Sequence, residues 1–102
     1  MNRAEELFSR IPFGHAEPLK RPADSYADRG LRRMVEEANN KGDCIINVGS
    51  GYYRPLPQDE VDEKEYHEYM NQELSRARKI HLKRSKMRVA YEKRRYIEEV
   101  ID

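Results

Sequence analysis

Three arginines with helical spacing, Arg29, Arg32 and Arg33, are the side chains best suited to chemistry in this chain. Residues three and four apart share one side of a helix. A guanidinium fork there can grip phosphate or meet a guanine edge through two parallel hydrogen bonds. Glu36 and Glu37 follow one turn later and oppose phosphate, so the face is mixed. A second group, Asn47, Ser50 and Arg54, flanks a glycine-rich turn whose backbone can approach a DNA strand closely. A third group is denser. From Arg76 to Arg95 there are ten Lys or Arg (Arg76, Arg78, Lys79, Lys83, Arg84, Lys86, Arg88, Lys93, Arg94 and Arg95) and one acid, Glu92. Of these, Arg76, Lys79, Lys83, Arg84 and Lys86 are expected to neutralise phosphates, which makes binding fall steeply with salt. An acidic protein partner would suit the same block; the competing interpretation is a solubilising tail that complements the acidic first half of the same helix, in an antiparallel partner. The formal net charge of +1 hides this block, because seven acids lie between Asp59 and Glu73.

Other chemistries fit poorly. The acids from Asp59 to Glu68 spread around a helix axis and read as an exposed carboxylate face, not a general-acid or metal site. His15, His67 and His81 are scattered, and Cys44 has no CxxC partner, so zinc is not expected. Gly49-Ser50-Gly51 lacks the lysine and the strand-loop-helix setting of a phosphate loop. Cys44 as a nucleophile would need a converging base. No enzyme activity and no cofactor are expected. A single cysteine excludes an internal disulfide and suits a reducing cytosol. There is no apolar run of membrane-spanning length and no signal-peptide core, so a soluble cytoplasmic protein is expected.

These residues need elements to position them. With 102 residues, 37% hydrophobic and 38% charged, the chain has material for one small core. Asn2 to Arg10 predicts a short helix, ended by Pro12 and Gly14. Asp24 or Asp28 can cap a second helix running to about Lys41. Its apolar stripe is Ala27, Leu31, Met34, Val35 and Ala38, which leaves the three arginines outward. Asn39 and Asn40 weaken its last turn, and Gly42 supplies the left-handed stop. Cys44 to Val48 predicts a strand, Gly49-Ser50-Gly51 a turn with positive φ, and Tyr52-Tyr53-Arg54 a return strand. Alternation on that strand predicts one tyrosine in the core and the other partly exposed. Asp59 then caps a helix of roughly 60 Å at ~1.5 Å per residue. Tyr66, Tyr69, Met70, Leu74, Ala77 and Ile80 form its apolar stripe, which falters at Arg84 and resumes at Met87 and Tyr91. The expected fold class is α+β, mostly α. A winged-helix-like unit over residues 1–57 is followed by a long charged helix over 58–102.

Three stretches together carry a family resemblance. They are Ile11-Pro12-Phe13-Gly14-His15; Asp28-Arg29, Leu31-Arg32, Glu37-Ala38 and Gly42; and Gly51-Tyr52-Tyr53 with a proline-containing exit and Ser75-Arg76-Ala77. In order and spacing the chain resembles the small winged helix-turn-helix proteins of prophages of gut Firmicutes, over roughly residues 8–83. The resemblance implies a phage DNA-binding protein acting on double-stranded DNA in transcriptional control or replication. One departure stands out. Those relatives hold about a dozen residues between the exit of the first helix and the Asp-Arg pair, whereas Lys20 to Ala27 gives eight, with Pro22 among them. The supporting helix of the motif is therefore expected to be truncated or absent. That opens the alternative of a phage antagonist, such as an anti-CRISPR or other counter-defence factor, that binds a host nucleic-acid-binding protein. A homodimer through the C-terminal helix is a third expectation, though the break at Arg84 argues against a long coiled coil.

Overall fold

The computed structural model describes residues 2–101. The elements are α1 (Arg3–Ser9), α2 (Ser25–Asn40), β1 (Ile46–Val48), β2 (Gly51–Tyr53) and α3 (Glu60–Ile101), an α+β fold that is mostly α. Among the described residues no helix is long and apolar enough to cross a membrane. The chain forms two compact units, Met1–Tyr69 and Met70–Asp102, divided within α3.

Local chemistry sets the helix ends in the first unit. The Asn2 side chain accepts from Glu5 N–H at the start of α1, and Asp24 accepts from Tyr26 N–H at the start of α2. Asp28 lies inside α2 and is not its cap. The C-terminus of α2 closes as a Schellman motif: Asp43 N–H donates to Ala38 O, and Gly42 N–H to Asn39 O. Gly42 takes φ +106, open to glycine with little cost. Asn39 acts beyond the helix. Its amide receives Ile45 N–H at 2.8 Å and donates to Ile45 O at 3.0 Å, pairing with the chain as a strand would. So Asn39, expected only to weaken the last turn, anchors the entrance to the hairpin.

The core joins Leu7 and Ile11 to Leu31, Val35, Ile45 and Tyr52, with Phe8, Leu19 and Ala38 packed against it. Helices α1 and α2 pack closely at Gly30, where a side chain would press on Ala4. The hairpin is antiparallel, pairing Ile46 with Tyr53, Asn47 with Tyr52 and Val48 with Gly51. Its turn corrects one expectation. Gly49 and Ser50 stay out of the positive-φ region, and Gly51 alone enters it, at φ +133.

Gly51 itself faces the segment 11–22, which forms no helix. That segment lies against the free edge of β2 as a strap, pairing parallel at Phe13 and antiparallel at Leu19 and bending between them at 14–17. Leu19 and Tyr52 exchange two backbone hydrogen bonds of 2.8 Å, Gly14 N–H donates to Arg54 O, and Arg54 N–H donates to Pro12 O. A Cβ on Gly51 would overlap the Leu19 carbonyl. Glycine is needed there for close approach as well as for φ. The strap also satisfies an edge that a lone hairpin would leave open.

In the second unit, residues 70–97 form uninterrupted helix, and every side chain is exposed except Ser85, which is half-buried.

Candidate nucleic-acid interface

Helix α2 builds the first part of the candidate surface. Ala27, Leu31 and Val35 are buried, so the opposite side faces out. Arg29, Arg32 and Arg33 are all exposed. Arg32 is engaged on its own helix, 3.4 Å from Asp28. Arg29 and Arg33 make no ion pair among the described residues. Asp28 is held more firmly by Arg21 of the strap, through bonds of 2.9 and 2.6 Å. The Arg21 guanidinium keeps the Asp28 carboxyl below the usual carboxylate range. Arg21 and Asp28 therefore tie the strap to the first turn of α2. Tyr26 joins the outward side of α2 by helical spacing with Arg29 and Arg33, and it is 83% exposed. Sequence reasoning passed over it. The signal was an aromatic one turn before an arginine pair, on the side away from the apolar stripe.

The hairpin differs from a free wing. Tyr52 and Tyr53 are 3% and 0% exposed, so the expected partly exposed tyrosine is absent. Alternation does send them to opposite faces, but both faces are covered. Tyr52 enters the core with α1 and α2. Tyr53 lies on the α3 side, where its hydroxyl donates to Glu65 Oε1 at 2.8 Å. Burial, and then the Glu65 carboxylate, push the Tyr53 phenol well above its ordinary pKa, so it stays a donor. A nucleobase cannot stack on either ring without unfolding the hairpin. Only the tip is open: Gly49 and Ser50 are exposed and Asn47 is half-buried.

Arg54, expected beside the tip as a nucleic-acid ligand, is occupied internally. Its guanidinium donates to Asp43 through Nε and Nη2 at 2.9 to 3.2 Å, and through Nη1 to Ile11 O at 2.8 Å. The Phe8 and Phe13 rings lie on it at 5.7 and 5.4 Å. Asp43 is held below its usual range, chiefly by that pairing. A fork committed to a carboxylate, a carbonyl and two rings has little left for phosphate. Its identity as arginine was legible in the sequence, but its partners lie 11 and 43 positions away.

A second polar cluster was not visible in the sequence. His15 Nδ1 donates to Asp62 Oδ1 at 2.5 Å and lies 3.4 Å from Asp59 Oδ1. Asp62 is 0% exposed, and its other oxygen accepts Leu56 N–H at 2.8 Å. Asp59 accepts Val61 and Asp62 N–H as the cap of α3. Asp62 first, with help from Asp59, raises the His15 pKa above its ordinary value. The three residues offer ligand atoms within 4.8 Å of one another. Each carboxylate, however, already accepts protein N–H groups, and the imidazole nitrogen facing them carries a proton. The set acts as a lock between the strap and the first turn of α3.

Cys44 lies at the surface. Desolvation of its thiol, and then Asp43, raise its pKa, the reverse of what activates a cysteine nucleophile. Along the second unit, Arg76, Lys79, Lys83, Arg84 and Lys86 are all exposed and distributed around α3. Arg76 approaches Glu73 at 3.4 Å. Comparison with protein-family models, with curated proteins and with solved structures returned no match.

Proposed function

We propose that this chain is a phage DNA-binding protein of winged helix-turn-helix type, acting in transcriptional control or replication in the cytoplasm of a bacterial host. It is a binding protein and not an enzyme in this reading, and its partner is double-stranded DNA. One observation carries the proposal. The side of α2 away from the core leaves Arg29 and Arg33 exposed and, among the described residues, without ion-pair partners, beside Tyr26. Asn47 and Ser50 at the hairpin tip supply backbone contacts that position without specifying; in the second unit, by itself, Arg76, Lys79, Lys83 and Lys86 are suited to neutralise phosphate. Titration of a short duplex by fluorescence anisotropy tests it. Binding is expected at ~50 mM salt, weakening at least ~10-fold by ~200 mM, and the R29A/R33A double variant should weaken it at both. No binding at the lower salt would end the proposal.

A second reading is favoured by the strap. The motif's supporting helix crosses the DNA backbone and fixes the angle of the recognition helix. Here the segment 11–22 is committed to the sheet edge instead. Such a scaffold suits a protein-binding phage antagonist directed at a host nucleic-acid-binding protein. Capture from nuclease-treated lysate of a partner that also binds nucleic acid would support this reading. Recovery of DNA-dependent partners alone would remove it.

A further inference from the structure

The second unit leaves a patterned seam uncovered. Met70, Glu73, Ala77, Ile80, Arg84 and Met87 follow one another at alternating intervals of three and four, the spacing of a coiled-coil seam. Met70, Ile80 and Met87 are each about half exposed or more. Two charges interrupt this line, Glu73 and Arg84. Alone, either would weaken a helix pair. They are, however, opposite in sign and equidistant from the midpoint between Ala77 and Ile80.

We infer that this face of α3 binds a second copy of the same chain in antiparallel orientation, centred between Ala77 and Ile80. In that register Met70 meets Met87 of the second copy, Ala77 meets Ile80, and Glu73 meets Arg84. Two-fold symmetry repeats each layer. The spacing extends in the sequence to Tyr66 and Tyr91, which the same register also places opposite each other. Ala77 at the centre lets the helices approach closely around Ile80. A parallel pair would set Glu73 against Glu73 and Arg84 against Arg84, two repulsive layers. The charged layers thus select orientation and register, the best attested use of charge within an apolar seam. They also account for the break at Arg84, which looks like a defect only while the helix is considered alone. Arg84 then serves the seam and not phosphate. Leu82, Val89 and Tyr96 lie on the far side of the helix and take no part. Arg76 and Lys83 flank the seam with like charge, which limits affinity.

Sedimentation equilibrium of the full chain tests this from about 5 to about 200 µM, a range over which mass action moves a weak dimer. The expected species at the upper end has twice the 12.2 kDa chain mass. E73R and R84E each place like charges in two layers, so each alone should dissociate at ~10-fold or more lower affinity. An equimolar mixture of the two variants should recover the original affinity, because every charged layer is again matched. In a C44S background, A77C mixed with I80C should form the mixed disulfide, while neither alone should self-couple efficiently. A monomer at the highest concentration, unchanged affinity in the single variants, no recovery on mixing, or self-coupling of A77C would each overturn the proposal. Circular dichroism on every variant separates loss of pairing from loss of helix.

Discussion

The hairpin and the second half of α3 hold their shapes by opposite means. The hairpin has three residues per strand, too few to persist in water, and both of its faces are covered. One face meets the α1–α2 core, the other meets the start of α3, and the strap closes its edge. Residues 70–97 have no buried side chain and are held by their own backbone ladder and by spaced pairs such as Glu73 with Arg76. Tertiary contacts make the first region; local propensity makes the second. A substitution should therefore be costly in the first and nearly silent in the second, unless it touches a partner.

Experiments can break that contrast. The largest effect is expected from Leu31→Ala, at the fully buried centre of α2, which should cost about 3–5 kcal/mol in urea denaturation. Ile80→Ala, at low protein concentration, should leave the same transition within about 0.5 kcal/mol. Equal effects would show that the two regions are not distinct. Arg54→Ala comes next, at about 2–3 kcal/mol, because it strands Asp43 and the Ile11 carbonyl and unstacks two rings. If Arg54 serves DNA instead, this variant would unfold like the parent and lose duplex binding. Asp62→Ala should follow at about 1–3 kcal/mol by removing the acceptor for both His15 and Leu56 N–H.

A smaller effect sharpens the contrast through pH. The His15 pKa is raised in the folded state. Its contribution is therefore fully present below the unfolded value near ~6.5 and fades as pH rises through the higher folded value. Urea midpoints followed across that window should fall in the parent and stay flat in His15→Gln. The smallest change is expected from Arg33→Ala, within about 0.5 kcal/mol in stability, with its consequence confined to duplex affinity. A large loss of stability there would mean that the outer face of α2 packs on something.

Local signals were legible in the sequence. Asp59 as a cap, Asp24 as one of two candidate caps, Gly42 as a stop, and the stripe from Ala27 to Ala38 each act within a few helical turns. The order of helices, hairpin and long helix followed from them. The two tyrosines were half legible, since alternation gives opposite faces but not what covers each. Arg54 and the His15–Asp62 lock were not legible, because their partners are distant in the chain and any surface arginine or histidine has the same local pattern.

Sequence alone determined the order of the helices and their ends to within a turn, which side of α2 turns inward, and where the bases gather, because spacing and capping are short-range properties of the backbone. Tertiary structure alone decided that the segment 11–22 becomes a strap, that Gly51 must lack a side chain, and that Arg54 turns inward to Asp43. Each of those depends on chain segments meeting across tens of residues, and that encounter follows from the competition of all the surfaces for one core.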